Sequence, residues 1–200
     1  MRELDKESLI AFLEAMDRAG HTPQRICVIG AASLILLGQP ARQTGDVDIW
    51  RPGSKLVDIE LKQIAAAAGL AYNPTGHDPE GAYLQIIVPG IVNLPAVEEE
   101  VWATGEHSRV LWQGNNITVV CPPPPIIAAS KLVRATEIDV DDVVYLMGAA
   151  GVSRKQIIAA ADFFPELDRQ FVRENMSIVD AVRTASERRQ RRRTRDEDQR

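Results

Sequence analysis

Residues 26–50 read ICVIGAASLILLGQPARQTGDVDIW, and they carry the clearest structural signal in the chain. It begins with a short β-branched run that ends at Gly30, which predicts a buried strand followed by a tight turn. Residues 31–37 predict a short helix that a second glycine closes. In residues 46–50 polar and apolar side chains alternate strictly, as they do in a strand with one solvated face. The stretch therefore predicts a strand, a helix and a second strand in close succession.

The turn and the second strand carry residue types suited to nucleotide chemistry. A tight turn that opens a helix presents backbone N–H groups to an anion; Gly30 would form that turn and Ser33 would add a hydroxyl. Asp46 and Asp48 lie two residues apart on a strand, so both carboxylates project from the same face. A glycine turn or an Asp-x-Asp pair alone is a weak signal. Together and in this order they predict a triphosphate cradle beside a Mg²⁺ (or Mn²⁺) site.

The remaining sequence predicts an α+β fold in which a mixed sheet is followed by helices. We expect residues 1–122 to form the core, with about five or six strands, residues 123–187 a helical C-terminal subdomain of the same unit, and residues 188–200 a basic, disordered tail. The other predicted elements are helices at 5–19 and 55–68, strands at 82–88 and 91–97, a hairpin of 107–112 with 116–121, and helices at 126–135, 140–149, 153–162 and 166–186.

The composition is that of an ordinary globular protein, with 45% apolar and 26% charged residues. No apolar run reaches the roughly 18 residues that a membrane-spanning helix needs. The acidic N-terminal segment does not resemble a signal peptide. Cys27 and Cys121 lie in strand-like apolar runs and are interpreted as buried thiols. These features predict a cytoplasmic protein with no membrane partner.

Charge is distributed unevenly along the chain. The net charge is −5, yet residues 183–200 contain eight arginines against four acidic residues, so the rest of the chain is markedly acidic. An acidic body disfavours nucleic-acid binding over the whole surface. No aromatic residue is interleaved with the tail arginines, which favours a solvated helix end or a protein partner for the tail over RNA.

Residues 26–50 resemble the minimal nucleotidyltransferase pattern of the DNA polymerase β superfamily. They are more closely similar to AbiEii-type and related uncharacterised bacterial nucleotidyltransferases, which are often found in toxin–antitoxin operons. Residues 117–147 resemble the family segment in which a strand ends in proline, a helix offers a lysine and an acidic stretch precedes an apolar helix. The matching positions are Gly30, Gly38, Arg42, Thr44, Asp46 and Asp48 in the first stretch, and Lys131, Arg134, Asp139 and Asp142 in the second.

The resemblance implies an enzyme that transfers a nucleoside monophosphate from a nucleoside triphosphate (NTP) to a hydroxyl of RNA or protein. It also implies tRNA, another RNA or a cognate toxin–antitoxin protein as the partner. Lys131 and Arg42 are equally compatible with ordinary solvated cations. The implied catalytic residues are Asp46, Asp48 and Lys131, with both aspartates as metal ligands, and the implied nucleotide-binding residues are Gly30, Ser33, Arg42 and Thr44.

Two departures from the family pattern support a second hypothesis. Ala31 follows the first glycine, where the family usually has glycine or serine, and Gln85 stands where a third carboxylate is expected. An amide is a neutral ligand and cannot take a proton from an attacking hydroxyl. Asp78 and Glu80 are the nearest acids, in a turn-like stretch. The alternative is therefore a catalytically weakened protein of this fold that acts as an antitoxin or partner-binding module.

Overall fold

The computed structural model describes residues 3–40, 42–74, 81–95 and 108–197, with side chains described up to residue 186. The chain divides into two compact units, Met1–Pro123 and Pro124–Arg200. The sequence predicts a boundary after residue 122. The described part of the first unit contains helices and strands, and that of the second unit is helical. The predicted α+β fold class is confirmed.

Three helices, six strands and one 3₁₀ turn make up the described part of the first unit. Asp5 caps the first helix by accepting a hydrogen bond from the backbone N–H of Ser8, as sequence start signals of this kind predict. The bounds are α1 (Lys6–Ala19), β1 (Gln24–Cys27), α2 (Gly30–Leu36), β2 (Asp46–Trp50), the 3₁₀ turn Arg51–Gly53, α3 (Asp58–Ala67), β3 (Ala71–Tyr72), β4 (Tyr83–Ile87), β5 (Arg109–Gln113) and β6 (Ile117–Cys121).

The strands form two three-stranded sheets rather than the single mixed sheet that the sequence predicts. The first has the order β1-β6-β5, with β1 parallel to β6 and β5 antiparallel to it. The second has the order β2-β4-β3 and is parallel throughout. Isolated antiparallel bridges at Val28–Ile49 and Arg25–Lys55 join β1 to the β2 segment. Between these two bridges the chain advances by three residues from Arg25 to Val28, but by six from Ile49 to Lys55. The 3₁₀ turn contains the three extra residues and interrupts the ladder of hydrogen bonds.

One hydrophobic core unites the helices and both sheets of the first unit. Leu9, Leu13 and Met16 form the buried stripe of α1, at the helical spacing that the sequence predicts. Val47 and Ile49 point into the same core from β2. Fully burying side chains of this size stabilises the folded state by about 1.5–3 kcal/mol each.

A buried carboxylate fastens α1 to the β5–β6 hairpin. Asp17 accepts hydrogen bonds from the backbone N–H groups of Asn115, Asn116 and Ile117 at 2.9, 2.7 and 2.8 Å. The hairpin turn lies where the sequence predicts it, around residues 113–115. A side chain at Gly114 would collide with Asp17, since an added Cβ would overlap the carboxylate.

One predicted strand and one predicted helix start differ clearly from the structure in this unit. The strand predicted at 91–97 is wrong for residues 91–95, which form bends and irregular backbone; residues 96–97 lie outside the described part. Pro89 cannot donate to a ladder and Gly90 has a φ of +91°, so the chain turns after β4. Helix α3 begins three residues later than predicted because Lys55 pairs with Arg25.

The described part of the second unit contains four helices and a 3₁₀ turn. Its first helix includes Pro124 and Pro125 and so begins two residues before the predicted start at residue 126. Proline fits the first helical turn because the N–H groups there have no partner within the helix. The bounds are α4 (Pro124–Arg134), α5 (Glu137–Ala149), α6 (Arg154–Ala160), the 3₁₀ turn Ala161–Phe163 and α7 (Glu166–Glu197).

The last helix extends into residues 188–200, the segment that the sequence predicts to be a disordered tail. The backbone of α7 remains helical to Glu197. Arginine, glutamine and glutamate lose little side-chain freedom in a helix, so a charged run of this composition can extend one. None of the helices in the described ranges combines the length and apolarity that crossing a bilayer requires.

Candidate functional site

Strand β2 places Asp46 and Asp48 on one face. Val47 and Ile49 are 6% and 0% exposed and face the core, while both aspartates are partly buried on the opposite side. The alternation in the sequence therefore reflects the two faces of the strand. The apolar residues pack into the core, and the carboxylates lie on the other face.

Gly30 lies directly against the Asp48 carboxylate. A Cβ added to Gly30 would stand 2.9 Å from Asp48 Oδ2, closer than such contacts allow. The residue also has a φ of +64°, in the left-handed region that favours glycine. The neighbouring Ile29 N–H donates to the Asp48 carbonyl at 2.9 Å, which fixes the turn to the strand. The structure thus brings the predicted turn and the predicted acid pair together.

Ser33 supports this turn from within the protein. Its side chain is fully buried, and its hydroxyl donates to the Gly30 carbonyl at 2.8 Å. The predicted phosphate contact would require the hydroxyl to leave both that bond and its buried surroundings. The helix α2 that Gly30 opens has only seven residues. Since the Ser33 hydroxyl is engaged and the helix is short, the two carboxylates are the main groups that could bind a ligand here.

Two hydroxyl groups hold the Asp46 carboxylate. Thr44 Oγ1 donates to Asp46 Oδ1 at 2.7 Å, and the Tyr83 hydroxyl donates to Asp46 Oδ2 at 3.2 Å. Thr44 is anchored in turn by backbone hydrogen bonds with Leu4. Thr44, which the resemblance implies as a nucleotide-binding residue, contacts the Asp46 carboxylate itself.

Sequence reasoning missed Tyr83. In the parallel pairing of β2 with β4, Asp46 lies opposite Tyr83 and Asp48 lies opposite Gln85. Tyr83 and Gln85 are two residues apart and so share a face of their strand. The sequence contains that spacing, but the spacing alone does not reveal which strand residue stands opposite which.

The electrostatics of the site show that the two acids interact. Burial raises the pKa of Asp48 to about 7, with the negative charge of Asp46 contributing in the same direction. The pKa of Tyr83 is also raised, first by burial and then by the charge of Asp46 and the hydrogen bond to it. Two carboxylates that repel each other beside a glycine form a donor set that a hard divalent cation would satisfy.

A third carboxylate is missing from the described part of this site. Gln85 occupies the position opposite Asp48, and no group of three or more His, Cys, Asp or Glu side chains in the described residues could hold a metal ion. Asp78 and Glu80 lie outside the described residues. The residues present fit a cation that takes two protein carboxylates and fills its remaining positions from a nucleotide or water.

Arg42 lies at a cavity beside helix α2. It lines this cavity, of about 340 Å³, together with Lys6, Ile35, Gly38 and Gln39, near the C-terminal end of α2. Gly30 begins that helix and so marks its other end. Of the described residues around this cavity, none belongs to β2. Gly30, the other predicted nucleotide-binding residue on this helix, is not among the described residues that line this cavity.

Lys131 belongs to the second unit, where two buried acids engage it. Its Nζ lies 2.5 Å from Asp142 Oδ2 and 3.4 Å from Asp139 Oδ1. Arg134 donates to both oxygens of Asp139 at 2.7 Å, and Thr136 forms a capping box with the same acid. Burial alone would raise the pKa of Asp139, but the hydrogen bonds from Arg134 and Thr136 and the nearby positive charges hold it well below its usual range.

This cluster contains four residues of the 117–147 stretch, Lys131, Arg134, Asp139 and Asp142. Lys131 and Arg134 lie in the last turn of α4, Asp139 lies in the first turn of α5 and Asp142 follows three residues later, so the charges join two consecutive helices. The Lys131 side chain is 10% exposed and that of Asp142 is fully buried. In this conformation the ammonium group balances the charge of the acids.

Comparison with models of known protein families gives no match for this chain. A search among curated proteins likewise finds no relative.

Proposed function

We propose that this protein is a metal-dependent nucleotidyltransferase that moves a nucleoside monophosphate from an NTP to a hydroxyl of RNA or protein. The observation that carries the proposal is the placement of Asp46 and Asp48 on one face of β2, with Gly30 against the Asp48 carboxylate. The resemblance of residues 26–50 to nucleotidyltransferases supports it. A toxin–antitoxin setting and a tRNA or protein partner rest on that resemblance alone.

In this proposal Asp46 and Asp48 hold Mg²⁺ or Mn²⁺, and a bound cation would polarise the triphosphate and stabilise the charge that develops on it. The missing side chain at Gly30 lets a phosphate or its metal approach the strand closely. Thr44 orients Asp46 through its hydroxyl. Lys131 contributes to phosphate binding only if the cluster with Asp139 and Asp142 rearranges, since both acids already engage it.

The proposal is tested by the melting temperature of the protein in the presence of NTPs. We expect an NTP to raise it only with Mg²⁺ or Mn²⁺ present, and we expect Asp46→Asn and Asp48→Asn each to abolish the shift. Glu14→Gln is the matched control, because it likewise neutralises one carboxylate. Glu14 is exposed on α1, lies 3.9 Å from Arg18 and is more than 30 residues from Asp46 in the sequence. A wild-type protein that responds to no combination of NTP and metal would rule the proposal out.

A second candidate function is partner binding without turnover, and Gln85 favours it. A neutral amide opposite Asp48 leaves the described site with two carboxylates. Release of pyrophosphate separates the two candidates. NTP binding with no pyrophosphate release, over a full Mn²⁺ titration and with RNA and protein acceptors supplied, would favour the binding module.

A further inference from the structure

Tyr83 contacts the acid pair from a neighbouring strand, and nothing in the sequence motifs assigns it a role. Its hydroxyl donates to Asp46 Oδ2 at 3.2 Å, while Thr44 donates to Oδ1 at 2.7 Å. Each Asp46 oxygen therefore receives one hydroxyl proton and keeps lone-pair capacity for another partner. From this geometry we infer that Tyr83 is a positioning residue, which fixes the orientation in which Asp46 presents its carboxylate to a divalent cation. The inference rests on the proposed function of the site.

The two hydroxyls come from firmly held parts of the fold. Tyr83 stands directly opposite Asp46 in the five-residue parallel pairing of β2 with β4. Thr44 forms backbone hydrogen bonds in both directions with Leu4, at 2.6 and 3.2 Å. A carboxylate gripped at both oxygens from two sides cannot rotate about its Cβ–Cγ bond without losing a hydrogen bond. Its free lone pairs are thereby kept in one direction.

The neighbouring acid has no such grip in the described part of the site. Asp48 lies against Gly30, which offers no side chain, and it stands opposite Gln85. Orientation of the pair thus depends on the hydroxyls at Asp46. Groups of this kind, which hold a metal ligand without touching the metal, commonly change metal affinity by 10–100-fold when they are removed.

The test is Mn²⁺ binding to the metal-free protein, measured by electron paramagnetic resonance of the free ion. Tyr83→Phe keeps the ring and removes only the hydroxyl, and we expect it to weaken Mn²⁺ binding by about tenfold. Tyr72→Phe is the matched control. Tyr72 lies on β3 of the same sheet, opposite Leu84. The charges that act on its hydroxyl are those of Asp58 and Arg51, and not those of the acid pair. This control should bind Mn²⁺ as the wild type does.

A second measurement separates positioning from general support of the fold. In an Asp46→Ala background the hydroxyl has no carboxylate to orient, so adding Tyr83→Phe should not weaken the residual Mn²⁺ binding any further. Equal losses in both backgrounds would show a merely structural role and overturn the inference. The melting temperature of each metal-free variant shows whether it is folded.

The possible failures of the inference and of the proposed function can be told apart. If the wild type and Tyr83→Phe bind Mn²⁺ equally, or if the variant binds it more tightly, the positioning role is wrong while the metal site stands. If the folded wild type binds no Mn²⁺, the metal site and the positioning role fall together.

Discussion

Gly30 meets two separate demands at one position. Its φ of +64° disfavours any side chain, and an added Cβ would come 2.9 Å from Asp48 Oδ2. The first demand concerns the stability of the fold, and the second concerns the position of a functional carboxylate. A single comparison between two glycines can separate them.

We expect Gly30→Ala to lower the free energy of unfolding by about 1–2 kcal/mol through backbone strain, and to weaken Mn²⁺ binding about tenfold by displacing Asp48. Gly69→Ala is the control, because Gly69 has a φ of +79° and nothing within 4 Å of an added Cβ. It should lose similar stability and keep the wild-type Mn²⁺ affinity. Urea denaturation and Mn²⁺ titration measure the two effects. Unchanged Mn²⁺ binding by Gly30→Ala would contradict the expected displacement.

The raised pKa of Asp48 makes stability depend on pH in a defined direction. Folding raises this pKa from 3.8 to about 7, mainly through burial, so between these values the folded state keeps a proton that the unfolded state has lost. The stability from this proton is complete below about pH 4 and is lost as the pH rises to about 7. A tenfold difference in proton affinity between the two states corresponds to roughly 1.4 kcal/mol.

We therefore expect Asp48→Asn, which is neutral at every pH, to gain stability relative to the wild type as the pH rises from 5 to 8. The expected relative gain is about 2–3 kcal/mol, since the folded wild type binds the extra proton only up to about pH 7. Urea denaturation of both proteins at the two pH values measures it. If the difference between the two proteins is the same at pH 5 and pH 8, the Asp48 carboxyl is not perturbed in the folded state.

Among the elements of the second unit, α4 and α5 are connected by a cluster of ion pairs. Lys131 ends one helix and Asp142 lies in the next, with Nζ and Oδ2 2.5 Å apart and almost no exposure to solvent. A buried pair of this kind costs desolvation energy to form, but removing one partner leaves an uncompensated charge inside the protein. The two helices therefore depend on both partners being present, even if the intact pair adds little to the net free energy of unfolding.

We expect Lys131→Met to lower the free energy of unfolding by about 3–5 kcal/mol. Lys155→Met is the control, since Lys155 is exposed on α6 and should tolerate the change. Adding Asp142→Leu to Lys131→Met should recover part of the loss, because the unpaired acid is then gone as well. Urea denaturation of the three variants measures this. A loss below about 1 kcal/mol for Lys131→Met would show that the pair is solvated in solution.

Elements whose signals are local could be predicted from the sequence, and those set by long-range pairing could not. Strand β2 begins and ends where the alternation in residues 46–50 predicts, and the Asp-x-Asp face follows from the same pattern. The division into two sheets depends on three extra residues at Arg51–Gly53, which a periodic pattern does not show. The contact of Tyr83 with Asp46 depends on the register of β4, which is set by the packing of the whole sheet.

For the whole molecule, the proposed transfer reaction depends on a third charged metal ligand, and a substitution at Gln85 tests whether that position is the vacated one. A glutamate at this position would stand opposite Asp48 and supply a third charged ligand for a hard cation. We expect Gln85→Glu to increase pyrophosphate release by about tenfold or more. The measurement is a Mn²⁺ titration of the wild type and the variant with an NTP.

Gln63→Glu is the control for added charge, because Gln63 is exposed on α3. Rapid turnover by the wild type that is unchanged or lost in Gln85→Glu would show that Gln85 is not the vacated position. An acid outside the described residues, such as Asp78 or Glu80, would then have to supply the third ligand.

The contact between Asp17 and the hairpin has a consequence for how the chain reaches its folded state. The backbone groups that Asp17 binds lie 98 to 100 residues further along the sequence. Strand β1 likewise finds its neighbour only in β6, where Gln24 stands opposite Ile117. A ribosome-bound chain that ends before β6 can complete neither contact. The first unit should therefore fold late and slowly, as chains with distant contacts do, while the short-range helical contacts of the second unit form quickly.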